Sequence, residues 1–216
     1  MSSMTTCARH RRFLVVLAAA LFWVPAQAQQ RPKVLTYVKP AGRASLPIDL
    51  TVALPPDKVL ERIRSNLKRA GLSLVATTTS GVVAATYSGK ATPWIDCGWI
   101  FSFEQGQRAS PKRVGGAAER ATIAVRRGDQ TLQLERRVTL DGFLAVQVEP
   151  VGNNNTRVTG HATYVVTRSL SAENGEDEQR MIDFRSGETG SFEKGTTCLP
   201  TGQFERLVIQ GLPKAP

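Results

Sequence analysis

Nucleophilic catalysis by this sequence would have to depend on a single histidine. A Ser-His-Asp or Cys-His arrangement needs a histidine within reach of the nucleophile, and His161 is the only histidine beyond residue 28. Polar and apolar residues alternate over Arg157–Arg168, which is the pattern of a β-strand. The alternation places His161 on the polar face of that strand, together with Thr159 and Thr163. We therefore expect an exposed histidine without a catalytic role.

Paired carboxylates are the other candidates for chemistry, because two acids that flank a glycosidic bond can hydrolyse it. The spacing of the acids along the chain selects no pair. Asp96 stands beside Cys97 among aromatic residues, and a turn or capping role is expected for it. A GxSxG motif and a glycine-rich phosphate loop are both absent from the sequence. The carboxylates that a hydrolase could use are Asp96, Glu104, Asp141, Asp183 and Glu188.

The first 28 residues have the order of a secretory signal peptide. Arg9–Arg12 is basic, Phe13–Val24 is an unbroken apolar run, and Ala26-Gln27-Ala28 is a small-x-small cleavage site. A transmembrane helix needs about 20 apolar residues, so the run is too short to span a membrane, although an uncleaved anchor remains the alternative. We predict general secretion, a periplasmic or secreted location, and a mature chain that begins at Gln29.

Two cysteines, Cys97 and Cys198, follow the predicted cleavage site. An even number of cysteines in an oxidising compartment indicates one disulfide bond, and a pair of buried free thiols is the alternative. The sequence has no CxxC pair and one mature histidine, which argues against a metal site. We expect no metal and no cofactor.

The mature chain is basic. Residues 1–28 contain three arginines and no acid, so their removal from a chain with 28 basic and 18 acidic residues leaves a net charge of +7. Such a charge favours weak contact with anionic surfaces, and nucleic acid is not an expected partner in this compartment. Arg136 and Arg137 lie near a predicted hairpin, and we expect a solvated face there. At the tip of that hairpin, Arg127-Gly128-Asp129 matches the integrin-binding tripeptide but is also ordinary turn chemistry.

The first half of the mature chain predicts a strand, a helix and a hairpin. Leu46–Leu54 alternates as a strand does, and a helix with one apolar stripe follows Pro55-Pro56 and extends to about Ala70. Leu72–Thr79 and Val82–Ser88 flank Ser80-Gly81 as a hairpin. The next stretch, Gly89–Ala118, contains two prolines and reads as a long irregular connection.

The second half predicts more antiparallel strands and a final helix. Asp141-Gly142 and Asn153–Asn155 are expected to be turns, and Glu173–Glu178 an acidic turn. Thr201 is expected to cap a C-terminal helix that carries Phe204 and Leu207. The predicted strands are Arg120–Arg127, Thr131–Thr139, a segment containing Leu144, Val146 and Val148, Arg157–Arg168 and Arg180–Arg185.

This order of elements predicts an α+β fold. Three segments carry a resemblance to a known family: Leu46-Pro47-Ile48-Asp49-Leu50, the helix that follows Pro55-Pro56, and Gly81-Val82-Val83. Through these segments the chain resembles the helix-grip domains of the outer-membrane assembly lipoprotein C family. The resemblance implies a curved antiparallel sheet packed on a C-terminal helix, with one further helix in the N-terminal half. We assign residues 1–28 to the signal peptide, 29–45 to an extended segment and 46–212 to a single domain.

These observations favour a non-enzymatic binding or accessory protein of a Gram-negative-type envelope. The expected partner is an envelope protein, or an apolar small molecule held between the sheet and the C-terminal helix. An envelope hydrolase that uses carboxylates from the set above is the alternative. The sequence leaves open whether the space between sheet and helix is a packed core, an apolar cavity or a cleft.

Overall fold

A computed structural model describes residues 35–102, 111–127, 130–152, 154–172, 175, 177–192 and 195–215. The predicted signal peptide, Glu104, Gly128-Asp129 of the tripeptide and part of the acidic turn lie outside these ranges. The helices are α1 (Pro56–Arg69) and α2 (Gln203–Ile209). The strands are β1 (Leu35–Val38), β2 (Ile48–Val52), β3 (Ser73–Val75), β4 (Val82–Lys90), β5 (Ile95–Asp96), β6 (Trp99–Ser102), β7 (Lys112–Gly115), β8 (Arg120–Arg127), β9 (Gln130–Pro150), β10 (Thr156–Ala172), β11 (Asp177–Arg185), β12 (Gly190–Ser191) and β13 (Thr197–Pro200).

The main sheet is built on the long antiparallel hairpin of β9 and β10. Their register runs from Pro150 opposite Thr156 to Leu134 opposite Ala172. On one side β8 pairs with the first half of β9 and β4 pairs with the second half. β3 pairs with the other edge of β4. On the other side β2 and β11 pair with successive parts of β10. The sheet therefore has a proximal half, with β2, β3 and β4, and a distal half, with β8 and β11.

Both helices belong to the proximal half, where α1 packs on β3, β4 and β9, and α2 packs on β10. Pro56 begins α1 at a position where the missing N–H costs nothing. Val59, Ile63 and Leu67 follow at helical spacing and are fully buried. The fold is mixed α+β with mostly antiparallel pairing, one helix in the N-terminal half and one at the C-terminus, as the sequence predicts.

The turn predicted at Asp141-Gly142 is wrong, because both residues lie inside β9. The ring of Phe204 on α2 sits directly over the strand at this point. A Cβ on Gly142 would stand 2.6 Å from Cζ of Phe204. Glycine inside a strand often marks such a close approach. The Asp-Gly dipeptide is also typical of hairpin turns, which is why the sequence predicts a turn here.

We expect Gly142→Ala to lower the free energy of unfolding by about 1–3 kcal/mol, the usual cost of overpacking a core. Phe204 is fully buried and cannot swing away from the added methyl group. Urea unfolding of a chain that begins at Gln29 measures the change. Gly42→Ala is the matched control, because a Cβ at Gly42 would meet no atom within 4 Å. Equal stabilities of the two variants would contradict this packing.

The connection predicted over Gly89–Ala118 is wrong in part, because it contains β5, β6 and β7. β6 pairs with β7 on one side and with β1 on the other, forming a small second sheet. β1 lies within residues 29–45, for which the sequence predicts only extended chain. The pairing of β1 and β6 joins segments about 60 residues apart, which local patterns do not reveal. β1 and β6 pack against β8 of the main sheet.

The space between the proximal half of the sheet and α2 is a packed core. Phe204 stacks on Trp94 with ring centroids 4.2 Å apart, and Tyr164 lies 5.4 Å from Phe204. All three rings are buried. The predicted cap is wrong, because Gly202 precedes α2 and the Thr201 hydroxyl donates to the carbonyls of Pro93 and Trp94. The sheet–helix space is therefore filled by side chains.

Candidate functional site

The two cysteines meet in the core, as the sequence predicts. The Sγ atoms of Cys97 and Cys198 are 2.01 Å apart, at disulfide distance, and both residues are fully buried. The pair joins the segment after β5 to β13, which leads directly into α2. Asp96 also has the predicted turn role, because its Oδ1 accepts a hydrogen bond of 2.8 Å from the amide of Gly98.

His161 is exposed on the outer face of the sheet, opposite the helices. Its strand neighbours Ala162 and Tyr164 are fully buried on the other face, which confirms the predicted alternation. His161 lines a shallow groove of about 550 Å³ that also contains Thr159 and Glu188. Glu188 is engaged with the backbone, because its Oε2 accepts a hydrogen bond of 3.1 Å from the amide of Arg185.

We expect His161→Ala to change the free energy of unfolding by less than about 0.5 kcal/mol, as exposed substitutions usually do. Any activity or ligand binding should also be unchanged, because the side chain is exposed on the outer face of the sheet. Urea unfolding and a complementation assay measure both effects. A lost activity in a fully folded variant would restore an enzymatic role for this histidine.

Two of the candidate carboxylates share one face of the sheet. Asp141 on β9 and Asp183 on β11 flank Val165 of β10 in the register. Neighbouring strands are about 4.8 Å apart, so the two α-carbons are separated by about two such spacings. Both side chains are exposed to solvent. Their spacing suits two carboxylates that act across a sugar ring, but their surface is an open sheet face.

Glu205 on α2 is a buried carboxylate that the sequence does not single out. Its Oε1 accepts a hydrogen bond of 2.6 Å from the Ser186 hydroxyl and one of 3.4 Å from Tyr164. Burial, with a further contribution from the Glu205 carboxylate, raises the pKa of Tyr164. These groups lie beneath α2 in the packed core and connect the helix to β10 and to the residue that follows β11.

A cavity lies at the other end of the molecule, between the small sheet and the distal half of the main sheet. We call it the inter-sheet cavity. Its volume is about 340 Å³, within the usual range of small-molecule sites. It is lined by Leu35, Tyr37, Ile100, Ile123, Val125, Arg136, Arg168, Leu170, Glu178, Arg180 and Thr196.

Arg136 is the most unusual residue of the inter-sheet cavity. The sequence predicts a solvated face around Arg136 and Arg137, and this is wrong for Arg136, which is 1% exposed. Its Nη2 donates a hydrogen bond of 2.6 Å to the carbonyl of Gly116, whereas its buried Nη1 has no hydrogen-bond partner among the described residues. Burial, and then the nearby charge of Arg168, lower the pKa of Arg136 to about 10. The guanidinium therefore still carries its charge at neutral pH.

Further charged side chains line the cavity beside Arg136. Arg168 Nη2 donates to Oε1 of Glu178 at 3.1 Å, and Arg180 Nε donates to the same oxygen at 3.2 Å. The side chain of Arg168 is 12% exposed and lies over the ring of Phe192. The described lining residues thus include three guanidinium groups and one carboxylate.

The walls of the cavity are fixed by the segments that carry the disulfide. A Cβ on Gly116 would clash with the backbone of Cys97, so only glycine places its carbonyl beneath Arg136. On the other wall, the Tyr37 hydroxyl donates to the carbonyl of Thr197 and accepts from its amide, both at 2.8 Å. Thr197 directly precedes Cys198, so both walls meet at the cysteine pair.

The pattern of β9 contained a signal for Arg136. Apolar residues alternate as Leu132, Leu134, Val138 and Leu140, and Arg136 occupies the missing inward position. A basic residue at an inward position indicates a buried charge with a specific task. The sequence alone does not bring Arg168 beside it, because this requires the register of β9 and β10.

Comparison of the chain with protein-family models, with curated proteins and with solved structures finds no match. Within the described ranges, no helix has the length and apolar character needed to cross a membrane. No group of three or more histidine, cysteine, aspartate or glutamate residues in that part of the chain could hold a metal ion.

Proposed function

We propose that this protein is a non-enzymatic binding protein of the bacterial envelope and that its ligand occupies the inter-sheet cavity. The observation that carries the proposal is the buried, positively charged Arg136, whose Nη1 has no hydrogen-bond partner in the part of the chain that the structure describes. A buried polar group without a partner destabilises a folded protein. Arg136 combines such a group with a position on a cavity of ligand size, where a ligand would supply the missing partner.

Export to the envelope is supported by the signal-peptide pattern of residues 1–28 and by the buried cysteine pair. Disulfides persist in oxidising compartments, and the helix-grip resemblance fits an envelope protein. The proposed helix-grip arrangement is supported by a strongly paired antiparallel sheet with α2 against it, although α2 has seven residues rather than the length of a long gripping helix. The mature charge adds weak attraction to anionic envelope surfaces.

If the chain is exported as proposed, protein recovered from the periplasm should begin at or near Gln29, because Ala26-Gln27-Ala28 fits the signal peptidase site. Intact mass and N-terminal sequencing measure this. A cleavage-site variant, Ala28→Arg, is the control and should accumulate as the longer precursor. Recovery of soluble periplasmic protein that still carries Phe13–Val24 would contradict the proposal.

An envelope hydrolase is the second candidate, and the pairing of Asp141 and Asp183 across Val165 is the observation that favours it. Both carboxylates would have to act on an open, solvated face. A hydrolase of this kind would release soluble fragments from purified cell-wall glycan, and Asp141→Asn and Asp183→Asn would each abolish the release. Failure of the wild-type protein to release fragments leaves the binding proposal.

The binding proposal is tested by nuclear magnetic resonance of mature protein with labelled isoleucine, leucine and valine methyl groups. Ten-carbon probes with an anionic, a neutral or a cationic head are titrated separately. We expect at least one probe to give saturable shifts at Ile100, Ile123 and Val125, while Val59 and Ile63 in the helix core stay unshifted. Absence of saturable shifts with all three probes would contradict binding in the inter-sheet cavity.

A further inference from the structure

The charged residues of the inter-sheet cavity indicate which chemical group the ligand must contain. Moving a guanidinium out of water is costly unless hydrogen bonds and an opposite charge replace its hydration. Within the described ranges, Arg136 has one such hydrogen bond, to the carbonyl of Gly116, and its Nη1 has none. Glu178 is the carboxylate among the lining residues, and it accepts hydrogen bonds from Arg168 and Arg180. The missing partner of Arg136 is therefore an anionic oxygen supplied from outside the described chain.

The register of the distal half separates the charged and apolar parts of the lining. Arg136 pairs with Leu170 on β10, and Arg168 lies two residues before Leu170 on the same strand, opposite Val138. Ile123 and Val125 on β8 pair with Leu134 and Leu132. These two leucines precede Arg136 by two and four residues, towards the start of β9. The cavity therefore has a cationic end at Arg136 and Arg168 and an apolar end towards the tip of the β8–β9 hairpin.

The apolar end continues onto the small sheet. Leu35 on β1 and Ile100 on β6 complete the lining from that side. The volume of about 340 Å³ corresponds to roughly ten water-sized groups, since one water occupies about 30 Å³ of liquid. A free inorganic anion would fill only the cationic end, whereas a chain of about ten carbons with one acidic head would fill the whole space.

We propose that the inter-sheet cavity binds an amphipathic anion, a carboxylate or phosphate head on a medium-length acyl or alkyl chain, with the head on Arg136 and Arg168. This inference rests on the proposed binding function and names the ligand class of the same cavity. A guanidinium presents parallel N–H donors that suit the oxygens of either head group. The chain lies along Leu35, Ile123 and Val125 towards the hairpin tip.

The test compares decanoate and decyl phosphate with decanol, decyltrimethylammonium and inorganic phosphate, by calorimetry and by the methyl shifts described above. We expect both amphipathic anions to bind at least tenfold more tightly than decanol, because a hydrogen bond to a charged group is worth more than a factor of ten. The cationic probe and inorganic phosphate should bind more weakly than decanol. The two anions distinguish the head groups by their ratio of affinities.

Arg136→Met is the decisive variant, since it keeps a long side chain and removes the charge. We expect it to weaken decanoate binding at least tenfold and to leave decanol binding unchanged or tighter, which also shows that the cavity is still formed. Arg137→Met is the matched control, because Arg137 is the adjacent residue on β9, is 56% exposed and carries the same charge. It should bind decanoate as the wild type does.

The outcomes separate the ligand class from the binding function. Equal affinities for decanoate and decanol, or tightest binding of the cationic probe, would overturn the anion assignment while the cavity remains a binding site. Equal losses of decanoate affinity in Arg136→Met and Arg137→Met would also overturn it, because the effect would then be one of net charge. Binding of none of the probes would overturn the function itself.

Discussion

Replacing both cysteines, as Cys97→Ala with Cys198→Ala, should lower the free energy of unfolding by about 2–5 kcal/mol. The bond spans 101 residues of sequence, and so long a closed loop restricts the unfolded chain strongly. Both cysteines are fully buried, so the double variant also leaves small voids in the core. Equilibrium urea unfolding of the mature protein measures the loss.

The same variant should weaken ligand binding, because the cavity walls depend on the cysteine segments. Gly116 is packed against the backbone of Cys97, and Thr197 beside Cys198 holds the hydroxyl of Tyr37. Unfolding of the wild type under reducing conditions should reproduce the lower stability, and reductant should have no effect on the double variant. A double variant with the stability of the wild type would show that the pair does not staple the domain.

Arg136→Met should have the opposite effect and raise the free energy of unfolding by about 1–4 kcal/mol, the range seen when buried charges give way to apolar side chains. The guanidinium is 1% exposed and incompletely bonded, so the unliganded protein carries an uncompensated charge. A gain of stability with a loss of ligand binding is the pattern expected for a functional residue. Arg137→Met, at an exposed ion pair, should change stability by less than about 1 kcal/mol.

The pH dependence of this gain follows from the pKa of Arg136, which burial and Arg168 lower to about 10. The native state disfavours the protonated form, so the destabilisation is fully present below about pH 10 and fades as the pH rises through that value. The difference between Arg136→Met and wild type should therefore be constant from pH 6 to 9 and shrink above it. Urea midpoints across this range check the sign, and a less stable variant at pH 7 would contradict it.

Local patterns predicted most of the regular elements. Apolar residues at helical spacing after Pro55 located α1, and alternation located β8 and β10 to within a few residues. The failures occurred where a distant part of the chain decides the local structure. Gly142 permits the close approach of Phe204, more than 60 residues later, rather than a turn. Likewise β6 pairs on one side with β1, about 60 residues earlier in the chain.

The candidate site was predicted only in part, for the same physical reason. The cysteine pair followed from a count, because Cys97 and Cys198 are the two cysteines that follow the predicted cleavage site. Arg136 was assigned to a solvated face on the strength of its residue type, although the alternation of β9 turned it inward. Its proximity to Arg168 depends on strand register, which one sequence does not determine.

A crystal structure of the mature protein with decanoate is the most direct test of the central claim. We predict that the carboxylate lies about 2.7–3.2 Å from Nη1 of Arg136, with the chain extending between Leu35 and Val125. Arg168 should approach the same carboxylate. A structure that pairs Nη1 of Arg136 with an acidic side chain of the protein, or that binds decanoate only elsewhere, would contradict the account.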